Sequence, residues 1–416
     1  MTFEALTDQS HTRGRDRIRI GVGSFFGMMV SIYPILVTPF PVLLQPISAT
    51  FGWGRSTMSL AILLATCTEA VLYPFVGRAL DRWGARTILL SGFLMFGFAI
   101  CGLSLISKSK PELYALYIVA GAVSTLPTGV AFGRAISRVF DSRRGLAFGL
   151  CLGVSQNIAA AIIPTYTHWL IEWLGWRGAY VGLGLAPIAI GFPSVFFLVR
   201  EPESKNSGSG SALFGRTLTE AIRTSEFPIV LAGIFILNTV VGGLFGHFVA
   251  IASDVHISAG TAAAMVGSAA LATMAGQFLV GVALDMVKSP VLALPTFIVV
   301  LLGAVLIQNA DSPASLFGGV MLVGFGAGSE YGLLPYFLTR LFGLRSFGQI
   351  YGVVYSVSAV SYGLGPYVMG WTFDHLRSYF AAYIVFELSL LVGLGLLATL
   401  RTYVYSPDGK EIRNPG

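Results

Sequence analysis

Charged residues are scarce in this chain. They make up 11% of its 416 residues, whereas hydrophobic residues make up 55% and the mean hydropathy is +0.76. Because soluble domains carry about 25% charged residues, this composition excludes an ordinary soluble protein and predicts a polytopic membrane protein. The net charge of +6 is modest, and the charges fall in the gaps between apolar runs. We therefore expect no nucleic-acid surface.

Cysteine and nucleotide-binding motifs are scarce as well. The three cysteines, Cys67, Cys101 and Cys151, lie inside apolar runs, and an odd number placed in this way predicts no disulfide framework. The chain has no Gly-x-x-x-x-Gly-Lys loop that would bind ATP phosphates, so the energy for any transport must come from gradients. We expect neither a cofactor nor a metal ion.

Long apolar runs are what the chain has in abundance. A transmembrane helix needs about 20 apolar residues, and two sets of six stretches, numbered here as spans 1 to 12, reach this length. They lie near 19–46, 55–78, 87–107, 113–139, 145–171 and 177–199, and near 227–252, 260–283, 290–309, 314–341, 347–372 and 379–400. The predicted fold is an all-α membrane protein with about twelve transmembrane helices in two six-helix bundles.

The predicted domain order follows from what separates the two sets of spans. A polar N-terminal tail covers residues 1–18, and the N-terminal bundle covers 19–199. Residues 200–226 are charged and then rich in Ser and Gly, a composition that predicts a flexible linker. The C-terminal bundle covers 227–400, and residues 401–416 form a polar C-terminal tail.

Two polar segments interrupt the apolar runs at equivalent places in the two halves. Residues 77–86 read GRALDRWGAR, and a degraded copy, GVALDMVK, begins 204 residues later at Gly281. The sequence Arg-Val-Phe at 138–140 likewise recurs as Arg-Leu-Phe at 340–342. A nearly constant offset close to half the chain length indicates an internal duplication of a membrane domain.

The distribution of Lys and Arg predicts the orientation in the membrane. Basic residues concentrate in both tails, the linker and the loops after spans 2, 4 and 10, whereas the opposite side holds only Arg55, Lys108, Lys110, Arg177 and Arg377. This bias predicts that both termini are cytoplasmic. The first apolar run is too long for a cleaved signal peptide, so we expect an integral protein of a bacterial-type inner (plasma) membrane.

The motif Gly-x-x-x-Asp-Arg-x-Gly-x-Arg between spans 2 and 3, with two six-helix halves and a long central loop, resembles the major facilitator superfamily. Four further segments resemble its monocarboxylate and oxalate/formate transporter group: FGWGRS at 51–56, RRGLA at 143–147, GWRGAY at 175–180 and LFGLRSFGQIYG at 341–352. The resemblance implies two bundles around a central cavity, working by alternating access.

The same resemblance implies a gating role for charged residues near the loops. Asp81 is suited to accept hydrogen bonds at the start of a helix of the other half, near Gly348. Arg82 and Arg86 are suited to pair with acids or to hold anionic headgroups. The alternative is that these basic residues only set topology. The full predicted gating set is Asp81, Arg82, Arg86, Asp285, Arg138, Arg144, Arg340 and Arg345.

Ionisable residues inside spans are candidates for function, because a charge at the bilayer centre costs about 2.5–3.5 kcal/mol on insertion scales. Arg134 lies in span 4 and Glu330 in span 10, two spans that face each other across the cavity in the resembled fold. We hypothesise that Arg134 binds a carboxylate through its two-pronged guanidinium and that Glu330 carries a proton. Two alternatives are a gate pair and a fixed structural ion pair.

Two further titratable residues lie inside spans. Glu69 shares a helix face with Thr66 and Tyr73 in span 2, so it either carries a proton or stays neutral against a neighbouring hydroxyl. His247 in span 7 titrates near neutral pH when unperturbed, and its alternative role is that of a buried hydrogen-bonding group.

Uncharged polar residues complete the predicted substrate and proton site. Tyrosines on one stripe of span 11 are suited to bind an organic acid by their hydroxyls and rings, although helix packing would explain the stripe equally. The uncharged polar candidates are Tyr351, Tyr355, Tyr362, Asn157, Asn238 and Gln277.

The sequence as a whole predicts a secondary active transporter of a small organic anion, similar to a monocarboxylate. We expect a monomeric symporter in the lipid bilayer that takes up the anion together with H⁺. The alternatives are an anion exchanger, a metabolite or drug exporter and, more remotely, a transporter-like membrane sensor. An enzyme is not expected, because the chain lacks a clustered nucleophile, base or metal set.

Overall fold

The structure is a computed structural model. It describes residues 17–139, 149–199, 214–287, 289–400 and 402–405, with the side chains of all these residues except 77, 81, 137–139 and 285. The described chain is helical nearly throughout, and its β contacts are isolated bridges, one of which joins Gly215 and Gly343. The prediction of an all-α fold is confirmed.

The first helix, α1, covers residues 17–29. The helices that follow, numbered in chain order, are α2 (Phe40–Phe51), α3 (Arg55–Trp83), α4 (Ala85–Gly102), α5 (Lys110–Ser124), α6 (Gly129–Val139), α7 (Ser155–Ala186), α8 (Phe192–Leu198), α9 (Leu218–Ile222), α10 (Glu226–Asp254), α11 (Ala259–Met286), α12 (Leu294–Gln308), α13 (Pro313–Phe342), α14 (Phe347–Leu376) and α15 (Phe380–Ala398).

Helical segments lie at all twelve predicted spans. Nine segments of the described chain are long and apolar enough to cross a membrane, and one of them, Gly149–Leu198, covers both span 5 and span 6. Spans 10 and 11 correspond to α13 and α14, which have 30 residues each. The all-α membrane fold is therefore confirmed, with a helical segment at each of the twelve predicted spans and nine segments of the described chain that meet the length and hydropathy of a membrane crossing.

Glycines with positive φ make the sharpest turns between spans. Gly175, with φ of 69°, interrupts α7 between spans 5 and 6, and Gly84, with φ of 77°, is the single residue between α3 and α4. Only glycine adopts such a backbone without steric strain. The predicted loop between spans 2 and 3 is thus mostly helix, because α3 continues to Trp83.

Span 4, predicted near 113–139, is two helices in the structure. It is split into α5 and α6 by residues 125–128, which include Pro127. Proline lacks the N–H that would continue the ladder and clashes with the preceding turn. The hydroxyls of Ser124 and Thr125 donate to the carbonyls of Gly121 and Ala122, at 2.7 and 2.6 Å, and so satisfy backbone groups near the break, as a membrane environment requires.

The chain packs as two compact units. Unit 1 comprises Met1–Leu43 and Val71–Lys205, and unit 2 comprises Leu44–Ala70 and Asn206–Gly416. These units differ from the predicted halves in residues 44–70, because the first part of α3 bonds to α10 and α14. The bundle boundaries drawn from sequence order stay a prediction about the internal repeat.

Small residues set the helix spacing within unit 2. A Cβ atom at Gly328 of α13 would lie 1.8 Å from the carbonyl oxygen of Thr273 in α11, and one at Gly276 of α11 would lie 2.1 Å from that of Phe325. Only glycine permits backbones to approach this closely, which is how membrane helices gain packing contact without a hydrophobic driving force. In unit 1, α4 packs against α5, α7 and α8.

Candidate functional site

In unit 1, the candidate site is built around the break in span 4. Arg134 is half-buried on α6, and Val130, one turn earlier on the same helix face, is 42% exposed. Thr128 immediately precedes α6, is 5% exposed, and its hydroxyl has no hydrogen-bond partner in the described part of the chain. A helix start inside a span presents N–H groups and a positive dipole end, which suit an anion.

The back of this break is fixed by packing against α4. A Cβ atom at Gly92 would lie 2.7 Å from Cβ of Leu126 and 3.1 Å from Pro127. A Cβ atom at Gly129, by contrast, would have the side chains of Met28 and Leu152 as its closest neighbours, at 3.7 and 4.0 Å. The start of α6 therefore has more space on its Gly129 side than the break has toward α4.

The other predicted polar residue of unit 1 is bonded to its own helix. Asn157 is 7% exposed, and its Nδ2 donates to the carbonyl oxygen of Gly153 at 3.1 Å. This contact stabilises the start of α7. Asn157 thus has a structural bond in this conformation, and its predicted substrate role is untested.

Two predicted gating arginines of unit 1 have described side chains. Arg86 donates from Nη2 to the carbonyl oxygen of Phe196 at 2.9 Å, so it caps the last turn of α8. Arg82 is exposed, with its guanidinium carbon 5.5 Å from the ring centre of Trp83. The side chains of Asp81, Arg138 and Asp285, and the whole of Arg144, lie outside the described residues.

The two predicted gating arginines of unit 2 differ in burial. Arg340 is 5% exposed near the end of α13, whereas Arg345 is exposed just after it. The backbone N–H of Arg345 donates to the carbonyl oxygen of Phe214 at 3.0 Å, which attaches the segment before α9 to this loop. Their gating roles stay a prediction.

Elsewhere in unit 2, Glu330 is a buried carboxyl without a cation beside it. It is 6% exposed on α13, and its Oε1 accepts from Nδ2 of Asn238 in α10 at 3.3 Å. No Lys, Arg or His of the described chain forms a salt bridge with it. Tyr351 of α14 is close enough to interact with it electrostatically. Glu330 also borders a cavity of about 40 Å³ whose lining is otherwise mostly apolar.

Glu69 is more isolated still. It is 5% exposed on α3, and its Oε1 has no hydrogen-bond partner among the described residues. Its neighbours along α3 pack against α14: a Cβ atom at Gly363 of α14 would lie 2.0 Å from Oγ1 of Thr66, and Ser356 of α14 donates to the carbonyl oxygen of Ala70 at 3.1 Å. Glu69 thus belongs to the part of α3 that packs against α14.

The predicted tyrosine stripe is half-buried and partly stacked. Along α14, the rings of Phe347 and Tyr351 have centroids 5.6 Å apart, and those of Tyr351 and Tyr355 are 6.3 Å apart. Tyr362 is half-buried on α14, and Gln277 is half-buried on α11. The structure brings Tyr351 close to Glu330, and Gln277 belongs to a different helix from the tyrosines.

His247 has hydrogen bonds at both ring nitrogens. It is fully buried, with Nε2 2.9 Å from the carbonyl oxygen of Pro366 and 3.0 Å from Oγ of Ser59, and with Nδ1 2.9 Å from the hydroxyl of Tyr379. A carbonyl can only accept, so Nε2 carries the proton and Nδ1 accepts from Tyr379. His247 therefore has a structural role in this conformation.

Arg55 continues this set of bonds. Its guanidinium forms a two-pronged contact with Asp254 at 3.0 and 3.1 Å, donates to the hydroxyl of Tyr379, and lies 3.6 Å from the ring centre of Phe373. Arg55 bonds to Asp254 and Tyr379, and Tyr379 bonds in turn to His247. These shared partners make one connected network of α3, α10 and the segment after α14.

Asp374 holds the start of α3. Its carboxylate accepts from the backbone N–H groups of Arg55 and Ser56, each at 2.9 Å, and from the hydroxyl of Ser56. It thus acts as an N-terminal cap supplied by another helix, and its negative charge favours the helix dipole. We refer to these connected residues as the Arg55 network: Arg55, Ser56, Ser59, His247, Asp254, Asp374 and Tyr379.

Most of the Arg55 network is missed by reasoning from sequence. From sequence, Arg55 contributes to the predicted topology and to the FGWGRS segment at 51–56, and Asp254 and Asp374 have no predicted role in transport. A usable signal is nevertheless present, because opposite charges lie at the start of span 2 and at the ends of spans 7 and 11, all on the same predicted side. No group of three or more metal-ligating side chains occurs in the described chain.

Comparison with known proteins identifies the family. The family model of the Major Facilitator Superfamily matches residues 20–366. The chain is 28% identical to monocarboxylate transporter 13 of Bos taurus over 338 residues, which are 78% of this chain and 76% of that protein. It is 24% identical to the oxalate:formate antiporter of Oxalobacter formigenes over 378 residues, 84% and 85% of the two chains.

A solved structure shows the same fold. A bacterial homologue of the human lysosomal transporter Spinster, in an inward-facing and unoccupied conformation, superposes with a TM-score of 0.69 over 95% of this chain and 99% of that one, at 16% identity. Three observations point to the same family: helical segments lie at the twelve predicted spans, the loop motif is repeated in both halves, and the family model matches most of the sequence. The chain therefore belongs to the Major Facilitator Superfamily, and it is a membrane transporter rather than an enzyme.

Proposed function

We propose that the protein takes up a small organic anion, similar to a monocarboxylate, together with a proton. The observation that carries this proposal is the burial of Glu69 and Glu330 without a basic partner in the described chain. An isolated ionised carboxylate is strongly disfavoured in a low-dielectric interior, so each group is most stable with its proton bound. Water reaching either group in another conformation would allow that proton to leave.

The anion would bind in unit 1. Arg134 supplies a guanidinium suited to a carboxylate, and the start of α6 supplies N–H groups and a positive dipole end one turn away. The uptake of a carboxylate with one proton is electroneutral, which suits a site with one cation. Similarity to a monocarboxylate transporter and to an oxalate:formate antiporter supports an organic anion as the substrate class.

The Arg55 network would hold one conformation of the transport cycle. Residues 55–70 precede the repeat boundary in sequence yet pack within unit 2. If the two sequence halves rock as alternating access requires, the bonds from Arg55, Ser56 and Ser59 to α10 and α14 break and re-form. The predicted gating residues Asp81, Arg82, Arg86, Asp285, Arg138, Arg144, Arg340 and Arg345 would act in the same cycle.

Substrate-binding roles are proposed for the remaining predicted residues as well. They are proposed for Tyr351, Tyr355, Tyr362, Asn238 and Gln277, all of which belong to unit 2. We propose the inner membrane as the location, with cytoplasmic termini and a monomeric working unit. An anion exchanger is the second candidate, favoured by the similarity to the oxalate:formate antiporter.

Uptake into membrane vesicles tests the proposal. Vesicles with an imposed inward proton gradient are assayed with labelled lactate, pyruvate, formate and oxalate. We expect accumulation of at least one acid, abolished in Arg134→Ala and kept in Arg223→Ala, which removes an exposed arginine instead. If Arg134→Ala elutes from gel filtration as a folded protein and still takes up the acid normally, Arg134 is not part of the binding site. Uptake that requires a preloaded anion and ignores the gradient would favour exchange.

A further inference from the structure

A cluster of hydrogen-bond donors without acceptors lies at the C-terminal end of α13. Arg340 is 5% exposed, and its Nε has no hydrogen-bond partner in the described chain. Its Nη1 donates to the hydroxyl of Tyr336 at 3.3 Å, and its guanidinium carbon lies 4.8 Å from the ring centre of Tyr403. A buried guanidinium with an unused donor is costly unless an acceptor reaches it.

Two more unused donors belong to the segments attached to this helix end. Tyr403 is 3% exposed and its hydroxyl has no partner among the described residues, and Nη1 of Arg216 is buried and equally without one there. Burial raises the pKa of Tyr403, so its hydroxyl keeps its proton and is available as a donor.

Backbone bonds attach the segments that carry Arg216 and Tyr403 to the end of one helix. The N–H of Arg216 donates to the carbonyl oxygen of Phe342 at 2.8 Å, and the N–H of Tyr405 donates to that of Arg340 at 2.9 Å. The segments 214–217 and 402–405 thus both attach to the last turn of α13. This places the Tyr403 ring beside the Arg340 guanidinium and the backbone of Arg216 at the same helix end. The end of a membrane-crossing helix lies at the level of the lipid headgroups.

The exposed carboxylate of Glu220 on α9 does not supply the missing acceptor. Glu220 accepts from the backbone N–H of Thr217 at 2.8 Å, and this bond is the main cause of the lowered pKa of its carboxyl, with weaker contributions from Arg345 and Arg216. It forms no salt bridge with Arg340 or Arg216 among the residues that the structure describes. The described chain thus leaves these donors without an acceptor. They are buried, so an acceptor from outside the chain would reach them only if the 214–217 or 402–405 segment moved aside.

We propose that Arg340, Arg216 and Tyr403 form an oxyanion site that binds a phosphate group, separate from the transport site. Phosphate offers several acceptor oxygens and matches the fork of arginine. It could belong to an anionic lipid headgroup or to a soluble phosphate. Bound there, it would join the 214–217 and 402–405 segments to α13 and so stabilise this end of unit 2.

Thermal unfolding of the full chain in nanodiscs tests the site. Nanodiscs of phosphatidylcholine alone are compared with nanodiscs that also contain phosphatidylglycerol, and with phosphatidylcholine nanodiscs in inorganic phosphate against chloride of equal ionic strength. We expect the unfolding midpoint to rise by a few degrees with one of the two phosphate sources. A rise with phosphatidylglycerol alone identifies a headgroup, and a rise with inorganic phosphate identifies a soluble ligand.

Variants show whether the rise depends on these donors. In Arg340→Gln the rise should disappear, whereas Arg223→Gln, which removes an exposed arginine near α9, should keep it. Native mass spectrometry should show binding of the same probe weakened roughly tenfold, the loss expected for one charge-assisted hydrogen bond. If Arg340→Gln does not fold, Tyr403→Phe and Arg216→Gln carry the test. No rise with either probe, or an equal rise in all variants, overturns the proposal.

Discussion

Two regions of unit 2 differ in whether their buried polar groups have hydrogen-bond partners. In the Arg55 network, the His247 nitrogens, the Tyr379 hydroxyl and the Asp374 carboxylate all have partners within hydrogen-bond distance. Along the same helix α3, Glu69 keeps a carboxylate oxygen without a partner in the described chain. Satisfied buried groups stabilise one arrangement, whereas an unsatisfied one is costly and suits a ligand or proton that comes and goes.

The difference shows that hydrogen-bond partners, rather than burial, distinguish structural from functional polar groups in a membrane helix. Burial alone does not distinguish His247 from Glu69, because both are buried inside spans. Their partners do, since His247 is fixed by three contacts and Oε1 of Glu69 by none among the described residues. The comparison predicts that network variants change stability and that Glu69 variants change coupling.

The largest effect is expected from Asp374→Ala. This change removes the acceptor for two backbone N–H groups and one hydroxyl at the start of α3. Bonds to charged groups contribute about 1.5–3 kcal/mol each in buried sites, so the loss of this half-buried cap should lower the unfolding free energy by about 2–3 kcal/mol. Denaturant unfolding of purified protein measures it, with Asp311→Ala, at an exposed aspartate, as the control. Equal losses in the two variants would contradict a special role for the cap.

A second prediction concerns Glu69→Gln, which keeps the shape and removes the titrating proton. With a gradient of one pH unit, electroneutral symport accumulates the anion about tenfold, and this ratio should fall to near unity. Thermal stability should be unchanged or higher, because an uncompensated carboxyl is removed. Accumulation in vesicles and unfolding are both measured, with the exposed Glu172→Gln as the control. If Glu69→Gln were less stable and still accumulated the anion normally, Glu69 would have a structural role and no role in proton coupling.

The smallest effect is expected from Tyr379→Phe. The hydroxyl joins Arg55 to His247, so its loss leaves Nδ1 of His247 without its donor. A single hydrogen bond contributes about 1 kcal/mol net, and the unfolding free energy should fall by about that amount. Tyr367→Phe, at a half-buried tyrosine of α14, provides the matched control. If neither change lowered the unfolding free energy, the Tyr379 hydroxyl would contribute nothing measurable to the stability of the Arg55 network.

The membrane fold could be predicted because its signals are local. Apolar runs of sufficient length mark each span, and the offset between Asp81 and Asp285 reveals the duplication. Glycine at 84 and 175 marks turns that need a positive φ. The break in span 4 was less predictable, since Pro127 is compatible with a bend as well as with a complete interruption, and the packing of Gly92 against it decides between them.

The candidate site could be predicted only as a set of residue types. The cost of a charge in hydrocarbon singled out Arg134, Glu330 and Glu69 from the sequence. It could not distinguish Glu330, which has Asn238 as a partner, from Glu69, whose Oε1 has none in the described chain. Hydrogen-bond partners come from helices far apart in sequence, such as the 188 residues between Ser59 and His247.

The sequence by itself determined that this is a duplicated, helical membrane protein of the Major Facilitator Superfamily, because hydropathy and a local motif carry that information. The tertiary structure alone decided that residues 44–70 pack with the second half, that Asp374 caps a helix 319 residues away in the chain, and that Arg340 lies buried with an unused donor. The physical reason is that hydrogen bonding and desolvation depend on which atoms meet in space, and residue order does not encode this in any single stretch.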